Sequence, residues 1–462
     1  MASATRIVVR AEDKGLWRGK QDDESAKKVS ALLQEDLEAC GDSRHDQSRR
    51  AMENLTEMLI QTRNTMSTTA PLAITIITGA SPSTIQAAYD ANKTYQAAYI
   101  PARPSVVAEL QGDWPAHAPK YLGRDSHYSD FLKFFQDEID QRGWEAVVNE
   151  FLCADTPKSR DLVQRLFSGV AHPMIQLSFG LEWEQPAIMA SGLAQAAVHG
   201  NPLKSFFDLV DEAARKADQA GVAEHRVGLS DTCENLRSTH DELSRTATWH
   251  DGDGRLYNAV LGRDRGLASA VALCAQMRVR EQDLDERTAE TLHHAAYVVA
   301  STSWKPPYIP KFDFFLIHCL NSSMFLLALD KKKKCIPTST RVRLTEHKMR
   351  YDIVQYIARG VPPLSPSHVR NYAVEHVASR PEDLLPRYHA VVDDGHLVKV
   401  ARSLLLAQQV SRPWKGKDWI RLVSDEDWIN AHHMLLRGVE GQETLWVRSC
   451  GFDEAWEGFP KL

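Results

Sequence analysis

The sequence lacks the short motifs that mark the common nucleotide-binding and hydrolytic enzymes. It contains no GxGxxG turn after a strand, no P-loop, no GxSxG nucleophile elbow and no HExxH motif. The stretch Asp251–Gly254, DGDG, lacks the later ligands and the closing glutamate of a calcium loop, so we interpret it as a turn. These absences exclude an ordinary dinucleotide fold, and no flavin motif is seen.

Cysteine is also scarce, and positive charge is slightly outnumbered by negative charge. Seven cysteines are spread over 462 residues without a CxxC pair, which argues against a zinc site and favours a reducing compartment. A formal net charge of −6 provides no basic face for nucleic acid or for an anionic membrane. The N-terminus lacks the apolar run of a signal peptide. We therefore expect a cytoplasmic protein with no nucleic-acid partner and no membrane span, and its oligomeric state stays open.

Alternating strand patterns are almost absent, and the fold class that we predict is all-α. A short strand is expected at Arg6–Arg10 and a proline-rich loop at Ala98–Pro119. The length exceeds the ~250–300 residues at which single cores stop growing. We predict one helical domain over residues 1–462, with the alternative of two lobes near 1–230 and 231–462. Helical spacing and helix-end signals predict helices over Glu24–Glu38, Arg49–Arg63, Asn64–Gly79, Ser81–Ala91, Asp130–Asn149, Leu162–Val170, Pro186–His199, Phe206–Ala217, Asp231–Thr246, Gly262–Gln276, Glu286–Ser301, Thr345–Arg359, Pro366–Ala378 and residues 393–409.

The feature around which the chain is organised is the apolar stretch Phe312–Leu329. Apolar side chains occur on every face, which predicts a nearly inaccessible central helix over Phe314–Ala328, with Asp313 as its N-cap. Polar groups such as His318 and Asn321 within it need partners, since burying each without one costs roughly 1–3 kcal/mol. Two interpretations of His318 stay open: a core histidine bonded to a carbonyl, or a ligand or acid–base group facing a cavity.

Further histidines lie near the ends of two earlier predicted helices. His172 directly precedes Pro173, a residue that favours the first turn of a helix, so His172 is expected near an N-terminus with Gln176 one turn away on the same face. His199 closes an apolar helix. We interpret it as a partner of the C-terminal helix dipole rather than as a ligand.

A third candidate segment begins with two aspartates that suit a helix start, Asp393 and Asp394. His396 and Lys399 follow at i and i+3, so their side chains can converge on one point. The alternative interpretation is an ordinary amphipathic helix with a solvated lysine.

Four blocks in this order, HPMIQLSFGLE, KFDFFLIHCLNSSMF, DDGHLVKVARSL and RSCGFDEAW, resemble the questin oxidase-like family. The resemblance implies a fungal oxygenase that cleaves, or inserts oxygen into, an anthraquinone-type polycyclic polyketide. It implies Baeyer–Villiger-type chemistry with O2 and NADPH. One branch of similar proteins is instead a non-haem iron dioxygenase whose metal is held by histidines and a carboxylated lysine, so Fe2+ is a second implied cofactor.

Applied to this chain, the resemblance implies a shared role for the polar residues of these apolar helices. Lys399 contributes an oxygen ligand only after carboxylation, since an ammonium group has no lone pair. The implied catalytic residues and metal ligands are His172, His318, His396 and Lys399. The implied substrate-binding residues are Gln176, Asn321 and Trp183.

The chain departs from the family pattern in two places. The block Asn64–Gly79 has no histidine where relatives carry them, and Gln176 replaces the second histidine of HPxIHL. One expected iron ligand is therefore missing. Three functions stay open: an NADPH-dependent Baeyer–Villiger oxygenase, an iron dioxygenase that opens the same ring, and a non-catalytic binder of aromatic polyketides.

Overall fold

The described part of the chain is almost entirely helical. The structure is a computed structural model and describes residues 1–13, 15–17, 21–39, 79–92, 100–221, 227–251, 260–262, 265–373 and 378–462. Within these residues there is no sheet, and β-type pairing is limited to the isolated bridges Ser3–Arg6, Tyr308–Lys461 and Asp313–Val447. The prediction of an all-α fold is confirmed.

The predicted strand at Arg6–Arg10 is wrong. The backbone N–H groups of Ile7 and Val9 donate to the side chains of Gln34 and Ser30, at 2.8 Å each, rather than to a neighbouring strand. β-Branched residues favour extended backbone but cannot form a ladder without a partner strand. Side chains of the following helix therefore accept these backbone hydrogen bonds in place of a partner strand.

The chain forms two compact units, each built from several segments. The first comprises Met1–Pro202, Leu327–Pro337 and Val392–Lys399, and an aromatic cluster around Trp114 and Phe135 packs in its interior. Its helices are Asp23–Ala39, Pro82–Asn92, Pro104–Gly112, Trp114–His117, Ala118–Lys120 (3-10), Asp125–His127 (3-10), Tyr128–Arg142, Trp144–Val148, Asn149–Cys153 (π), Pro157–Arg165, Ser168–Trp183 and Pro186–Val198.

The second unit comprises Leu203–Leu326, Thr338–Val391 and Val400–Leu462. Its helices are Lys204–Gln219, Leu229–Thr239, Asp241–Ser244, Trp249–Asp251 (3-10), Leu267–Cys274, Glu281–Asp283 (3-10), Leu284–Ser301, Thr338–Ala358, Pro366–Arg370, Pro381–Leu384 (3-10), Leu385–Ala390, Arg412–Trp414 (3-10), Asp425–Val439 and Glu454–Trp456 (3-10). Two further helices, Phe314–Lys331 and His396–Ser411, carry the histidines considered below. The predicted domain organisation stays a prediction.

The predicted loop at Ala98–Pro119 is largely helical instead. Pro104 and Pro115 stand in the first turns of Pro104–Gly112 and Trp114–His117. Proline is tolerated there because a first-turn N–H has no intrahelical acceptor. The prolines therefore start these helices rather than breaking them.

Other predicted helices end earlier than expected or cannot be compared. Asp231–Thr246 divides at His240, whose φ of −140° and ψ of 55° are not helical. Pro366–Ala378 stops at Arg370, where the Asn430 side-chain amide donates to the Val369 carbonyl at 3.0 Å. The predicted helices Arg49–Arg63 and Asn64–Gly79, except Gly79, and most of the predicted turn Asp251–Gly254 lie outside the described residues.

The central helix, Phe314–Lys331, is buried over most of its length. Phe315 and Leu316 are 5% and 1% exposed, which confirms the prediction, although Phe314 itself is partly exposed. Asp313 caps the helix as predicted, since its Oδ1 accepts the backbone N–H of Phe315 at 2.8 Å. By length and composition this helix passes the test for a membrane span, but 78% of it is buried within the protein, as in a core helix.

Candidate active site

His172 lies where a backbone reversal gives way to a right-handed helix. Gly169, Val170 and Ala171 have φ values of 53°, 56° and 60°, in the left-handed region, and Pro173 follows within Ser168–Trp183. A β-branched residue such as Val170 rarely adopts this conformation, so the surrounding packing must hold it there. The predicted position of His172 near a helix N-terminus is confirmed.

His199 packs directly against this reversal. Its Nδ1 donates to the Gln195 carbonyl at 2.7 Å, in the last turn of Pro186–Val198, which agrees with its predicted place at a helix C-terminus. A Cβ atom added to Gly169 would lie far inside van der Waals distance of His199 Nε2. His199 also stands close enough to His172 to contribute to lowering its pKa. Sequence reasoning missed this proximity.

The two aspartates before His396 have different partners. Asp394 Oδ1 lies 2.6 Å from His396 Nδ1. Asp393 instead accepts the backbone N–H of Leu397 at 2.8 Å and that of Gly395 at 3.0 Å, so it caps the helix as predicted. The Asp-x-His spacing was the signal in the sequence that could have revealed the role of Asp394.

His318 is fixed from within its own helix. Its Nδ1 donates to the Phe314 carbonyl at 2.6 Å, and the two rings meet edge to face with centroids 4.9 Å apart. The interpretation of His318 as a core histidine bonded to a carbonyl therefore describes its Nδ1. Its Nε2 is left as the nitrogen with which it can act as a ligand.

The ligand atoms of three of the predicted residues lie together. One ring nitrogen from each of His172, His318 and His396 falls within 4.8 Å of the others. The rings of His172 and His396 have centroids 6.3 Å apart. Cis ligands of a metal with bonds near 2.1 Å stand roughly 3 Å apart, so a small inward shift would close the group on an ion. That these residues bind a metal stays a proposal.

Charge and burial favour the neutral form of the His172 imidazole. Burial, then the positive charges of Lys399 and His396, lower the pKa of His172 well below its ordinary value. Burial lowers the pKa of Lys399, although Asp394 and Asp393 oppose the shift. Burial raises the pKa of Asp394, but His396 and Lys399 outweigh it and leave that pKa far below the usual range. His172 is thus unprotonated at neutral pH, the form that binds metals.

The three predicted substrate-binding residues lie in different surroundings. Gln176 donates from Nε2 to Ser191 Oγ at 3.3 Å. Asn321 accepts from Ser403 Oγ at 3.1 Å, and its buried Nδ2 has no hydrogen-bond partner among the described residues. Trp183 ends the helix of His172 eleven residues further on, about 16 Å at 1.5 Å per residue, and faces Gly15. The structure therefore does not bring Trp183 to the histidines.

Comparison with known proteins gives consistent matches over most of the chain. The model of the questin oxidase-like family matches residues 71–404. A questin oxidase of Aspergillus fumigatus is 32% identical over 84% of this chain and 86% of its own length. The Baeyer–Villiger oxidase ptaJ of Pestalotiopsis fici is 32% identical over 83% and 85%. A protein of Aspergillus parasiticus described as oxidoreductase AflY is 30% identical over 83% and 81%.

Proposed function

The chain belongs to the questin oxidase-like family, and on that premise we propose that it oxidises an anthraquinone-type polycyclic polyketide of fungal secondary metabolism. Its relatives are named as oxidoreductases and Baeyer–Villiger oxidases. We propose Baeyer–Villiger-type oxygen insertion as the reaction. One observation supports the location of the chemistry. A ring nitrogen of each of His172, His318 and His396 lies within 4.8 Å of the others.

The donor set fits a bound iron. In two of the three imidazoles Nδ1 is held by an oxygen acceptor, the Asp394 carboxylate for His396 and the Phe314 carbonyl for His318. Metal-ligating histidines usually have such a partner, which fixes the tautomer and aims Nε2 at the ion. Imidazole suits iron among the first-row metals. When bound, iron would supply the electron-transfer chemistry with which O2 is activated.

We propose that Lys399 completes this donor set after carboxylation. Its pKa is lowered by burial, which increases the fraction of neutral amine at a given pH. A neutral amine adds CO2 to form a carbamate and releases one proton, so the side chain gains oxygen ligands and a negative charge. We propose that this modified lysine joins the three histidines as a fourth ligand, and that no residue replaces the histidine missing at Gln176. The mass of the intact protein, measured without acid, reports the added carboxyl group.

A Baeyer–Villiger insertion needs an outside reductant. One oxygen atom of O2 enters the substrate, and the other leaves as water after taking two electrons from NADPH and two protons. Among the described residues there are no parallel strands on which an ordinary dinucleotide fold could be built. We therefore assign no NADPH-binding residues and treat NADPH as a diffusible reactant.

Dioxygenase cleavage is the second candidate reaction, and the histidine group beside Lys399 favours it. In this reaction both oxygen atoms enter the product, and no outside reductant is consumed. The two reactions therefore differ in the number of oxygen atoms gained and in the use of NADPH.

The test is incubation of anaerobically purified, iron-analysed protein with emodin and isotopically labelled O2, with and without NADPH. Mass spectrometry counts the labelled oxygen atoms in the product. One labelled atom with NADPH oxidation supports the Baeyer–Villiger reaction, and two without NADPH support the dioxygenase. Binding of emodin without turnover under any condition would identify a non-catalytic binder. His318→Ala should abolish turnover, whereas the exposed control His250→Ala should leave it unchanged.

A further inference from the structure

The central helix carries a buried donor for which no described residue provides an acceptor. Asn321 is 4% exposed, and its Nδ2 makes no hydrogen bond among the described residues. Its Oδ1, on the other side of the same amide, accepts from Ser403 Oγ at 3.1 Å. An unpaired N–H in a protein interior carries its full desolvation penalty, so such a group calls for an explanation, of which a functional role is one.

Ser403 fixes the direction in which the amide of Asn321 points. Ser403 is itself buried, at 2% exposure, and its hydroxyl group is the donor in the bond to Oδ1. The oxygen and the nitrogen of an asparagine amide diverge from the carbon that they share. Because Oδ1 is held by Ser403, Nδ2 is directed away from Ser403, and an acceptor on that side would complete the hydrogen bonding of the amide.

Helical spacing places this amide beside Lys399. His396, Lys399 and Ser403 stand at i, i+3 and i+7 in the helix that begins at His396, so they share one face. His318 and Asn321 stand at i and i+3 in the central helix. The helices meet where a ring nitrogen of His318 lies within 4.8 Å of one of His396, and they meet again at the bond to Ser403. Lys399 lies between these two contacts, about 6 Å along the helix axis from Ser403.

The side-chain nitrogen of Lys399 is a second donor without an acceptor among the described residues. Lys399 is 6% exposed, and its Nζ makes no hydrogen bond or ion pair with a residue that the structure describes. Burial lowers its pKa, and Asp394 and Asp393 oppose this shift through their charge rather than through a hydrogen bond. An ammonium group and an amide NH2 group are both donors only, so they cannot bond to each other. Carboxylation removes this conflict, because it gives the lysine side chain acceptor oxygens.

We propose that Asn321 Nδ2 donates to a carbamate oxygen of carboxylated Lys399 and is thereby a positioning residue that stabilises the modified lysine. This inference rests on the proposed function, in which the modification supplies a metal ligand. The lone pair of the neutral amine forms an N–C bond to CO2, one C=O π bond becomes a carboxylate lone pair, and the amine proton leaves to solvent. No oxidant or reductant is consumed. The hydrogen bond from Nδ2 to this anion is charge-assisted and about twice as strong as a neutral one.

Two other roles of Asn321 lead to different expectations. If Asn321 only joins the two helices, its bond to Ser403 is the one that matters, and removing either partner has the same effect. If Nδ2 instead binds the substrate, as the family resemblance implies, its loss weakens substrate binding and leaves the carboxylation of Lys399 unchanged. Only a bond to the carbamate makes the modification itself depend on the amide donor.

The experiment titrates the full-length protein with 13C-labelled bicarbonate and follows the carbamate by 13C NMR. It is performed without metal and with Zn2+, a diamagnetic replacement for iron. Lys399→Gln identifies the signal of the modified lysine, since it alone should remove that signal completely. The test variants are Asn321→Ala, which removes the donor, and Ser403→Ala, which breaks the same helix contact but keeps the donor. The control is Asn235→Ala, at an exposed position where Nδ2 donates to the Asp231 carbonyl at 2.9 Å.

Asn321→Ala should raise the CO2 concentration needed for half-maximal carboxylation by about tenfold to a hundredfold, as expected for the loss of a hydrogen bond to a charged group. Ser403→Ala should raise it by less than about tenfold, because only a neutral bond is lost. Asn235→Ala should behave like the wild type. Equal increases in Asn321→Ala and Ser403→Ala would assign Asn321 to the helix contact alone and overturn the inference.

Carboxylation of Asn321→Ala at wild-type CO2 concentrations would also overturn the inference, and weaker emodin binding by that variant would then assign Nδ2 to the substrate. A wild type that oxidises emodin but shows no carbamate at Lys399 would overturn this inference and leave the proposed oxidation standing. A carbamate that depends on Asn321, in a protein that oxidises no anthraquinone, would support this inference and overturn the proposed function. Should Asn321→Ala not fold, Asn321→Asp gives the same readout, because it keeps the bond from Ser403 and lacks the donor.

Discussion

At the scale of single residues, two adjacent carboxylates have different functions. Asp394 Oδ1 contacts His396 Nδ1 at 2.6 Å, whereas Asp393 caps the helix that follows. Replacing Asp394 with Asn keeps the size of the side chain but removes the charge that orients the imidazole. We expect Asp394→Asn to weaken iron binding about 10–100-fold, the usual effect of losing such a partner. Competition with a chelator of known affinity measures this change.

The neighbouring variant Asp393→Asn is the matched control. An asparagine oxygen still accepts the N–H of Leu397, although the bond from Gly395 is lost, so the iron affinity should fall much less than in Asp394→Asn. Equal loss of iron affinity in the two variants would show that Asp394 has no special relation to His396.

A second prediction at this scale concerns pH and a histidine outside the site. Burial lowers the pKa of His432 to about 3, and its Nδ1 lies 2.8 Å from the Tyr388 hydroxyl group. As the pH falls, His432 is therefore protonated near pH 6.5 in the unfolded chain but only near pH 3 in the folded chain. Stability is complete above the unfolded pKa and is lost as the pH falls below it.

This histidine should account for about 1 kcal/mol of the stability that is lost between pH 7 and pH 5.5. His432→Gln should reduce the pH dependence of the free energy of unfolding by that amount, measured by urea denaturation at the two pH values. His250→Gln, at an exposed position, should leave the pH dependence as it is. An unchanged slope in His432→Gln would refute the assignment.

At the scale of elements, the left-handed reversal before His172 is tightly constrained. Gly169 has a φ of 53°, and a Cβ there would collide with the His199 ring. Gly169→Ala should lower the free energy of unfolding by about 2–4 kcal/mol, through backbone strain plus overpacking. It should also reduce iron binding, because the reversal positions His172.

Gly441 is the control that measures the cost of backbone strain without a steric collision. Its φ is 67°, but nothing lies within 4 Å of an added Cβ. Gly441→Ala should therefore cost only about 1 kcal/mol, from the backbone term. Denaturant unfolding of the two variants checks the difference. Equal costs would mean that contact with His199 does not constrain the reversal.

The helices illustrate what sequence patterns determine and what they leave open. The central helix was predictable because apolar residues cover all its faces, and only burial satisfies such a pattern. Pro104 and Pro115 led to the wrong prediction of a loop, because proline breaks the interior of a helix but is well suited to its first turn. At the early end near Arg370 the Val369 carbonyl accepts from Asn430, a residue distant in sequence, and no local pattern could indicate that contact.

At the scale of the whole molecule, the candidate site could be predicted only with help from the family resemblance. His172, His318 and His396 lie in separate segments, and no local rule forces them together. His199 was missed because its position beside His172 arises from packing against Gly169. Trp183 was expected to bind substrate on the strength of the resemblance, but it stands at the far end of the helix that begins near His172.

The most direct test of the account is the iron content of the anaerobically reconstituted protein and of its single histidine variants. We predict one tightly bound iron per chain in the wild type. His172→Ala, His318→Ala and His396→Ala should each lose it while keeping the helical circular dichroism spectrum, and His250→Ala should retain it. Iron retained at full stoichiometry in all three site variants, or absent from the wild type, would contradict the proposal that these histidines form one metal-binding active site.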